Sequence, residues 1–436
     1  MSTSSAVATA TPRSVAALVV DGLGSMRLTV WLLVLLALLT WLGTLAQIDS
    51  STYDVQREYF ESWFVLAKLP LSVWGNAIGD TPEGSGFPLR FPLPGAYPVM
   101  GLLFVNLVVG GMLRLRWSGR NAGVLITHVG MLLLLLAGFV KLETGYSGML
   151  GLYERGGAGG DRVHESSTFV SFHDYELALL TDKGDTIVER VVPAVDLQAA
   201  HGSGSVTLAP EGLPFKVQVH HWIDHSQVVT KGAETPATPV VGGLYLDQRS
   251  WRPGEQPKKE SEIAGCYVSV FGDGGERFDA ILWGYPRAPE NRSNYVAAFT
   301  IKGQRYALDL RRTTYDLPFA VRLDKFEKKD HPGTMSPRDF RSHVTVTEQG
   351  QSTEAQIFMN NPLRRAGFVL YQASWGQQPM GGPPYYTVLE VANNPSDAWP
   401  EYACYIIALG LLWHFGAKLL RFLNSSTRTS LLRHDA

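Results

Sequence analysis

The stretch 123–140, GVLITHVGMLLLLLAGFV, decides the fold, because its eighteen residues carry no formal charge between Arg120 and Lys141. At 1.5 Å per residue, a helix of this length spans roughly 27 Å, close to the ~30 Å hydrocarbon thickness of a bilayer. The stretch contains one ionisable side chain, His128. A polar side chain at that depth costs free energy unless it has a partner, so His128 is a functional hypothesis by default.

Three further apolar runs make the chain a membrane protein with four transmembrane α-helices arranged 3 + 1. The middle of the chain instead has the composition of a soluble protein. The predicted organisation is a cytoplasmic tail (1–26), helix 1 (27–48), an extracytoplasmic loop with an interfacial helix (49–93), helix 2 (94–113), a cytoplasmic loop (114–121), helix 3 (122–141), an extracytoplasmic β-rich domain (142–398), helix 4 (399–422) and a cytoplasmic tail (423–436).

The segment 53–73 interleaves aromatic residues with charges, as helices at a membrane surface do. A linker helix packed on the protein would give the same pattern, so both readings stay open. In either case the sequence predicts a helix here.

A second flanking feature lies after helix 3. The stretch 154–162 is rich in glycine, which predicts a mobile hinge between helix 3 and the outer region.

Basic residues orient the four helices. With four spans, all the groups of Arg and Lys beside them fall on one side, which the positive-inside rule assigns to the cytoplasm. The large domain then lies on the periplasmic or extracytoplasmic side of a bacterial inner membrane. The basic residues are Arg13, Arg27, Arg114, Arg116, Arg120, Lys418, Arg421, Arg428 and Arg433.

The sequence of the outer region (142–398) predicts a large antiparallel β domain between helices 3 and 4. We expect a sandwich or an open barrel of two lobes. Runs of alternating or β-branched residues recur there between turn-rich pieces. The predicted strands are 168–180, 215–222, 266–271, 295–301, 305–310, 319–326, 343–347, 368–375 and 385–391.

Two histidines lie inside predicted membrane helices, His128 and His414. Neutral imidazole is a good ligand for haem iron, and helix bundles commonly hold such cofactors between facing helices. His128 is the stronger candidate axial ligand, whereas His414 is shallow enough to be interfacial and is a weak candidate. The alternative for each is a structural hydrogen bond to a neighbouring helix.

The remaining chemistry-bearing residues give little signal. The cluster HHWIDH (220–225) suggests a metal site with Asp224, but adjacent strand residues point to opposite faces, which separates His220 from His221. Cys266 and Cys404 match no metal, redox or haem-attachment spacing and are expected to be free thiols. We therefore predict no catalytic residue and no metal beyond haem iron. A net charge of −2 gives no reason to expect a nucleic-acid partner.

The chain resembles ResB-type proteins, also called CcsB, of the System II cytochrome c biogenesis pathway. The resemblance is carried by an ordered set of stretches, each modest alone. They are SMRLTVWLLVLLALLTWLGTLAQ (25–47), YDVQREYFESWF (53–64), LPLPGAYPVMGLLFVNLV (92–109), ITHVGMLLLLLAG (126–138), HPGTMSPRDFRSHVTV (331–346), NNPLRRAGFVLYQASW (360–375) and TVLEVANNP (387–395).

The resemblance implies a non-autonomous subunit of a cytochrome c haem lyase complex, embedded in membrane lipid. A CcsA-type partner would handle haem b with it, transiently, and the pair would deliver haem across the membrane and attach it to apocytochrome c. The family's intramembrane histidine ligand would map to His128, by its position in the third helix. The chain contains no tryptophan-rich haem-presenting segment, so that element would belong to the partner.

Two other functions fit the same residues. A membrane electron-transfer cytochrome would hold b-type haem permanently through His128 and His414. A non-haem assembly scaffold would use its β domain to bind proteins, and its histidines would be structural.

Overall fold

Four helices in the described part of the chain are long and apolar enough to cross a membrane: Met26–Ala46, Ala96–Leu113, Ala122–Thr144 and Trp399–Leu423. We call them the first to fourth spans. They belong to a helical unit, Met1–Thr144 with Pro395–Ala436, and the rest forms a β unit, Gly145–Asn394. The computed structural model describes residues 14–48, 50–69, 89–154, 165–232, 239–251, 257–285, 296–334, 337–376 and 385–434.

The predicted fold class, four apolar helices with a large antiparallel β domain between the third and the fourth, is confirmed. Two flanking segments contain helix that the sequence analysis assigned to tails. A short helix, Val15–Leu23, precedes the first span, and the last helix continues from Trp399 to His434. The apolar run fixes where a helix can enter lipid. A helix can continue beyond that run because its backbone bonds are satisfied locally. The predicted hinge at 154–162 lies outside the described residues after Glu154.

The helix expected over 53–73 is wrong for residues 61–69, and residues 70–73 lie outside the described part of the chain. A short helix, Thr52–Val55, runs into one π-helical segment, Gln56–Phe60, and the chain then forms a strand, β1 (Phe64–Leu69). This strand pairs antiparallel with β2 (Leu89–Pro94). Val65 and Ala67 are buried while Phe64 and Leu66 are exposed, which is the period of two expected of a half-buried strand. Tertiary burial of that face decided the conformation.

Small residues set the packing of the third span on the fourth. A Cβ atom added to Gly123 would lie 2.6 Å from the carbonyl oxygen of Gly410, and one added to Gly130 would lie 2.9 Å from that of Ala403. Residues 123 and 130 are seven apart, so they lie on one face of the helix. Such small-residue stripes let helix backbones approach closely in lipid, where packing replaces the hydrophobic effect as the driving force.

A buried amide ties the first span to the second. The Nδ2 atom of Asn106 donates to the carbonyl oxygens of Leu23, at 2.6 Å, and Ser25, at 3.1 Å. Its Oδ1 atom accepts from the Thr29 hydroxyl at 2.7 Å. The amide is 5 % exposed, and three partners offset the cost of placing it there. This contact fixes the start of the first span beside the π-helical end of the second.

The described residues of the β unit form three sheets. Their strands are β3 (Tyr146–Tyr153), β4 (Glu165–Asp182), β5 (Ile187–Pro193), β6 (Ser205–Leu208), β7 (Phe215–Ile223), β8 (Ser226–Thr230), β9 (Leu244–Gln248), β10 (Gly265–Gly272), β11 (Arg277–Trp283), β12 (Ala297–Ile301), β13 (Gln304–Asp330), β14 (Pro337–Glu348), β15 (Gln351–Phe358), β16 (Leu363–Arg365), β17 (Phe368–Gly376) and β18 (Tyr386–Asn393). The first sheet has ten strands, in the order β15-β14-β13-β4-β3-β18-β17-β16, with β12 on β13 and β5 on β4. The second has four strands, in the order β11-β10-β7-β6, and the third pairs β8 with β9.

Strand β13 joins two hydrophobic cores. Tyr306, Leu308 and Leu310 in its first half pack into a core shared with the four-stranded sheet. Phe319 and Leu323 in its second half pack into a separate core with β17 and β18. Register shifts in its pairing with β4, after Arg312 and after Asp316, separate the halves. The two lobes predicted for the outer region correspond to these two cores.

Candidate functional site

His128 lies on the third span, and its ring contacts the second span. Its Nδ1 atom is 2.9 Å from the carbonyl oxygen of Gly111. A carbonyl oxygen can only accept, so Nδ1 carries a hydrogen and donates it; the tautomer of neutral imidazole that can do this has its lone pair on Nε2. This is the arrangement common for histidines that bind metals, where the second ring nitrogen donates to a backbone carbonyl and fixes the ring orientation. A purely structural histidine could make the same bond.

Gly111 makes room for the imidazole. It lies in a π-helical segment, Leu107–Leu113, that ends the second span. A Cβ atom added to Gly111 would lie 2.8 Å from Nδ1 of His128 and 3.1 Å from Cε1, so the ring occupies the place of a side chain. π-Helical turns inside α-helices are rare and occur frequently at functional sites. The second span thus supplies both the space and the acceptor for His128.

His414, on the fourth span, lies against a face of the third span that is different from the face bearing His128. The backbone of His414 approaches Gly123, whereas His128 is five residues further along the same helix. At 3.6 residues per turn, five residues rotate the position by about 140° around the axis. Nδ1 of His414 is buried and has no hydrogen-bond partner among the described residues. Within the described residues, no hydrogen bond or ring contact joins His128 to His414, the two histidines predicted as ligands.

A cavity of about 290 Å³ lies one helical turn before His128, at the start of the third span. This volume is at the lower limit for pockets that hold small molecules and cofactors. His128 is not among the residues that line this cavity. The cavity is lined by Leu115, Arg116, Trp117, Ser118, Asn121, Ala122 and Leu125.

The β unit brings together two histidines that the sequence analysis separated. His220 and His221 do not point to opposite faces of β7: their Nδ1 atoms are 2.9 Å apart, and their ring centroids 5.1 Å apart. The separation inferred from strand alternation was wrong because His221 has φ 52°, outside the β region, and begins a β-bulge. Asp224, the third proposed ligand, instead accepts from the Trp222 indole.

The spacing of apolar residues in β7 contained a signal for this bulge. Val217 and Val219 face the core and are two residues apart, but the next core residue, Trp222, follows after three. A β-bulge inserts one extra residue into a strand, which lengthens the step between two inward-facing positions from two residues to three. The three-residue step from Val219 to Trp222 is therefore the sequence signal for the pairing of His220 with His221, which strand alternation alone does not predict.

A serine and an aspartate lie behind His220. Ser269 Oγ donates to Asp279 Oδ1 at 2.6 Å. The Ser269 Oγ atom is also 3.4 Å from Nε2 of His220. Burial and the neighbouring His221 lower the pKa of His220. Partial burial acts to raise the pKa of Asp279, but hydrogen bonds from Ser269 and Arg277 hold it below its usual range. At neutral pH these groups are a neutral imidazole beside a carboxylate.

Among the described residues, no group of three or more His, Cys, Asp or Glu side chains is arranged to hold a metal ion. Cys266 and Cys404 are free. Complete burial raises the pKa of the Cys266 thiol to about 12, so this thiol is unreactive at neutral pH.

Comparison with known families adds a second line of information. Residues 296–383 match the model of the ResB-like family. The chain carries a ResB-like segment. This segment runs from the start of β12 past the end of β17, and includes the long strand β13. The predicted resemblance to ResB/CcsB-type proteins is thereby confirmed for this part of the β unit.

Two relatives resemble parts of the chain. Protein NrfI of Wolinella succinogenes is 33% identical over 108 residues, which is 24% of this chain and 11% of NrfI. Cytochrome c biogenesis protein CcsB of Synechococcus sp. (strain CC9902) is 32% identical over 82 residues, which is 19% of this chain and 18% of that protein. The chain thus spans less than a fifth of the length of these relatives. His128 lies outside the ResB-like segment, so its role depends on local geometry.

Proposed function

We propose that the chain acts in the biogenesis of c-type cytochromes, where it handles haem within the membrane together with a second membrane protein. The ResB-like segment and the similarity to a protein named for cytochrome c biogenesis support the process. The four apolar helices support the membrane setting. With the positive-inside rule, the β unit would lie on the extracytoplasmic side of a bacterial inner membrane, where apocytochrome c is matured.

The observation that carries the haem role is the bond from His128 Nδ1 to the Gly111 carbonyl oxygen. It leaves Nε2 with the lone pair that an iron atom would need, and no hydrogen bond to Nε2 is recorded within the described residues. A carbonyl behind a ligating imidazole also raises its basicity. His128 would therefore supply one axial ligand to haem b as it passes between proteins.

The second axial ligand would come from the partner. The backbone of His414 lies against Gly123, and this position is about 140° around the third span from His128. An electron-transfer cytochrome would hold haem between two rings of the same chain. The positions of His128 and His414 do not support that arrangement. A CcsA-type protein would contribute the other imidazole and part of the porphyrin pocket. The β unit would bind or shield apocytochrome c while haem is attached.

The test is His128→Ala in the full chain, co-purified with its haem-handling partner. We expect the variant complex to lose its haem absorbance and the cells to stop forming holocytochrome c. Imidazole added to the variant complex should restore part of the haem spectrum, because a small imidazole can enter the space left by the ring. His331→Ala, an exposed histidine of the β unit, is the matched control and should change neither.

Each result distinguishes the proposed role from the two others. Normal haem content and normal maturation in His128→Ala would overturn the proposal and favour a scaffold. Stoichiometric haem in the isolated chain, with reversible redox titration and normal maturation in a deletion strain, would favour an electron-transfer cytochrome.

A further inference from the structure

The β-bulge in β7 places two imidazoles on one face of the four-stranded sheet. His220 pairs with Tyr267 of β10 and Ile223 pairs with Gly265, so two residues of β7, 221 and 222, oppose the single residue 266. The extra residue is His221, and Trp222 then returns to the core, where it is 4% exposed. The outer face therefore presents His220 and His221 side by side.

The bulge places the backbone of His221 in a conformation that is strained for any residue except glycine. A non-glycine residue rarely adopts positive φ, because its Cβ atom then lies too close to the following carbonyl oxygen, and His221 adopts φ 52°. Residues held in such conformations cluster at functional sites, where the surrounding structure maintains them. The strain at His221 is thus an independent reason to ask what the two rings do together.

The hydrogen bonds behind His220 determine which ring nitrogen carries its proton. Asp279 is ionised and can only accept, so the Ser269 hydroxyl hydrogen is used in the 2.6 Å bond to it. The Ser269 oxygen can then only accept from Nε2–H of His220. His220 is therefore the Nε2–H tautomer, and its Nδ1 lone pair is directed at Nδ1 of His221.

We propose that the Nδ1 atoms of His220 and His221 form a two-nitrogen chelate for a divalent transition-metal ion, with copper(II) preferred. Histidine–metal bonds are about 2.0–2.1 Å long. Two nitrogens 2.9 Å apart then subtend an angle of about 90° at the ion. That angle fits adjacent positions of a square-planar or tetragonal ion, the geometry of copper(II) and nickel(II), and not the wider angle of tetrahedral zinc.

The rest of the coordination sphere would be water or an external donor, since no third His, Cys, Asp or Glu joins the pair among the described residues. Binding needs a tautomer change at His221, from Nδ1–H to Nε2–H, and a rotation of both rings that turns the two Nδ1 lone pairs from each other towards the ion. Ser269 acts as a positioning residue because it orients the His220 ring through the other nitrogen. Two protein ligands make this an exchangeable site, and it is separate from the haem role proposed for His128.

The experiment titrates the purified full-length protein in detergent with copper(II) chloride, in competition with a chelator of known affinity. We expect one copper(II) bound per chain, with a tetragonal electron paramagnetic resonance signal that shows coupling to two imidazole nitrogens. Nickel(II) and zinc(II) should bind more weakly, as the Irving–Williams order requires for a site of this kind. The double variant His220→Asn, His221→Gly measures background binding by the chain terminus and other histidines.

Three single variants separate ligation from folding. His221→Gly removes a ligand while suiting the positive φ, so the fold should be kept and the two-nitrogen signal lost. Ser269→Ala should weaken copper binding by roughly 10–100-fold, and Ser269→Thr, which keeps the hydroxyl, should restore it. His343→Ala, a histidine on β14, is the matched control and should bind as the native chain does.

The proposal is overturned if the native chain and the double variant bind copper alike. It is also overturned if His221→Gly, folded as judged by its melting curve, retains a signal from two imidazoles. Retained affinity in Ser269→Ala would overturn the positioning role alone.

Discussion

His128 and the His220–His221 pair are imidazoles in two contrasting surroundings. His128 lies on a helix among apolar side chains, and a backbone carbonyl 2.9 Å away sets its proton position. His220 lies on a sheet face, and a hydroxyl and a carboxylate set its proton position. In both cases a group behind the ring fixes the tautomer and leaves one nitrogen directed elsewhere. The difference lies in how each ring is positioned: small residues between helices in one unit, and a β-bulge in the other.

The largest expected effect comes from breaking the helix packing that supports the first of these sites. Gly123→Leu would place side-chain atoms where the Gly410 carbonyl oxygen is only 2.6 Å from a Cβ atom. Both backbones would have to separate, at a cost of about 3 kcal/mol. We expect a much lower yield of folded protein and a lower melting temperature in detergent.

Gly138→Leu is the control for that change, since nothing lies within 4 Å of a Cβ atom added there in the same helix. It should leave yield and melting temperature near native values. Equal loss in the two variants would show that the third and fourth spans are not held together by this small-residue contact.

A smaller and more local effect is expected from Gly111→Ala. The added methyl group would lie 2.8 Å from Nδ1 of His128, so the ring would move away from its carbonyl acceptor. On the proposed function, loss of this supporting bond should reduce haem retention in the purified complex by roughly tenfold. The measurement is haem absorbance per mole of protein.

Gly101→Ala is its control in the second span, since nothing lies within 4 Å of a Cβ atom added there. If Gly111→Ala retains haem as the Gly101 variant does, the carbonyl contact has no part in ligand positioning.

The smallest effect is a pH dependence in the β unit. The pKa of His220 is lowered by burial and by His221, so protonation favours the unfolded state. Stability from this group is complete above the ordinary histidine pKa of about 6.5 and is lost as pH falls from there through the lowered folded value. The melting temperature should therefore fall between pH 7.5 and 5.5, and less steeply in His220→Asn.

His173 has a pKa lowered mainly by burial and adds to the same slope, so the comparison between variants, not the slope itself, isolates His220. A slope in His220→Asn as steep as in the native chain would mean that the ring is not held neutral by its surroundings. The exposed His331→Asn serves as the matched control and should keep the native slope.

Strong, regular patterns were predicted well. The apolar runs around His128 have the length of a bilayer, and each predicted strand of the β unit overlaps a strand in the structure. Prediction failed where a local pattern competed with tertiary contacts. The aromatic and charged segment after Thr52 reads as helix, yet Val65 and Ala67 are buried with Leu39 and Leu42 of the first span. A strand can bury alternate residues there.

The sequence alone determined that this protein has four helices suited to lipid and a β domain between the last two, because length, charge and period two or 3.6 are properties of the chain itself. It also singled out His128, since one ionisable residue in an apolar run is conspicuous. Only the tertiary structure decided that Gly111 holds that ring, that the backbone of His414 packs on a different face of the third span and that His220 meets His221. These relations depend on how segments far apart in the chain pack, and on one bulge that reverses the direction of a side chain.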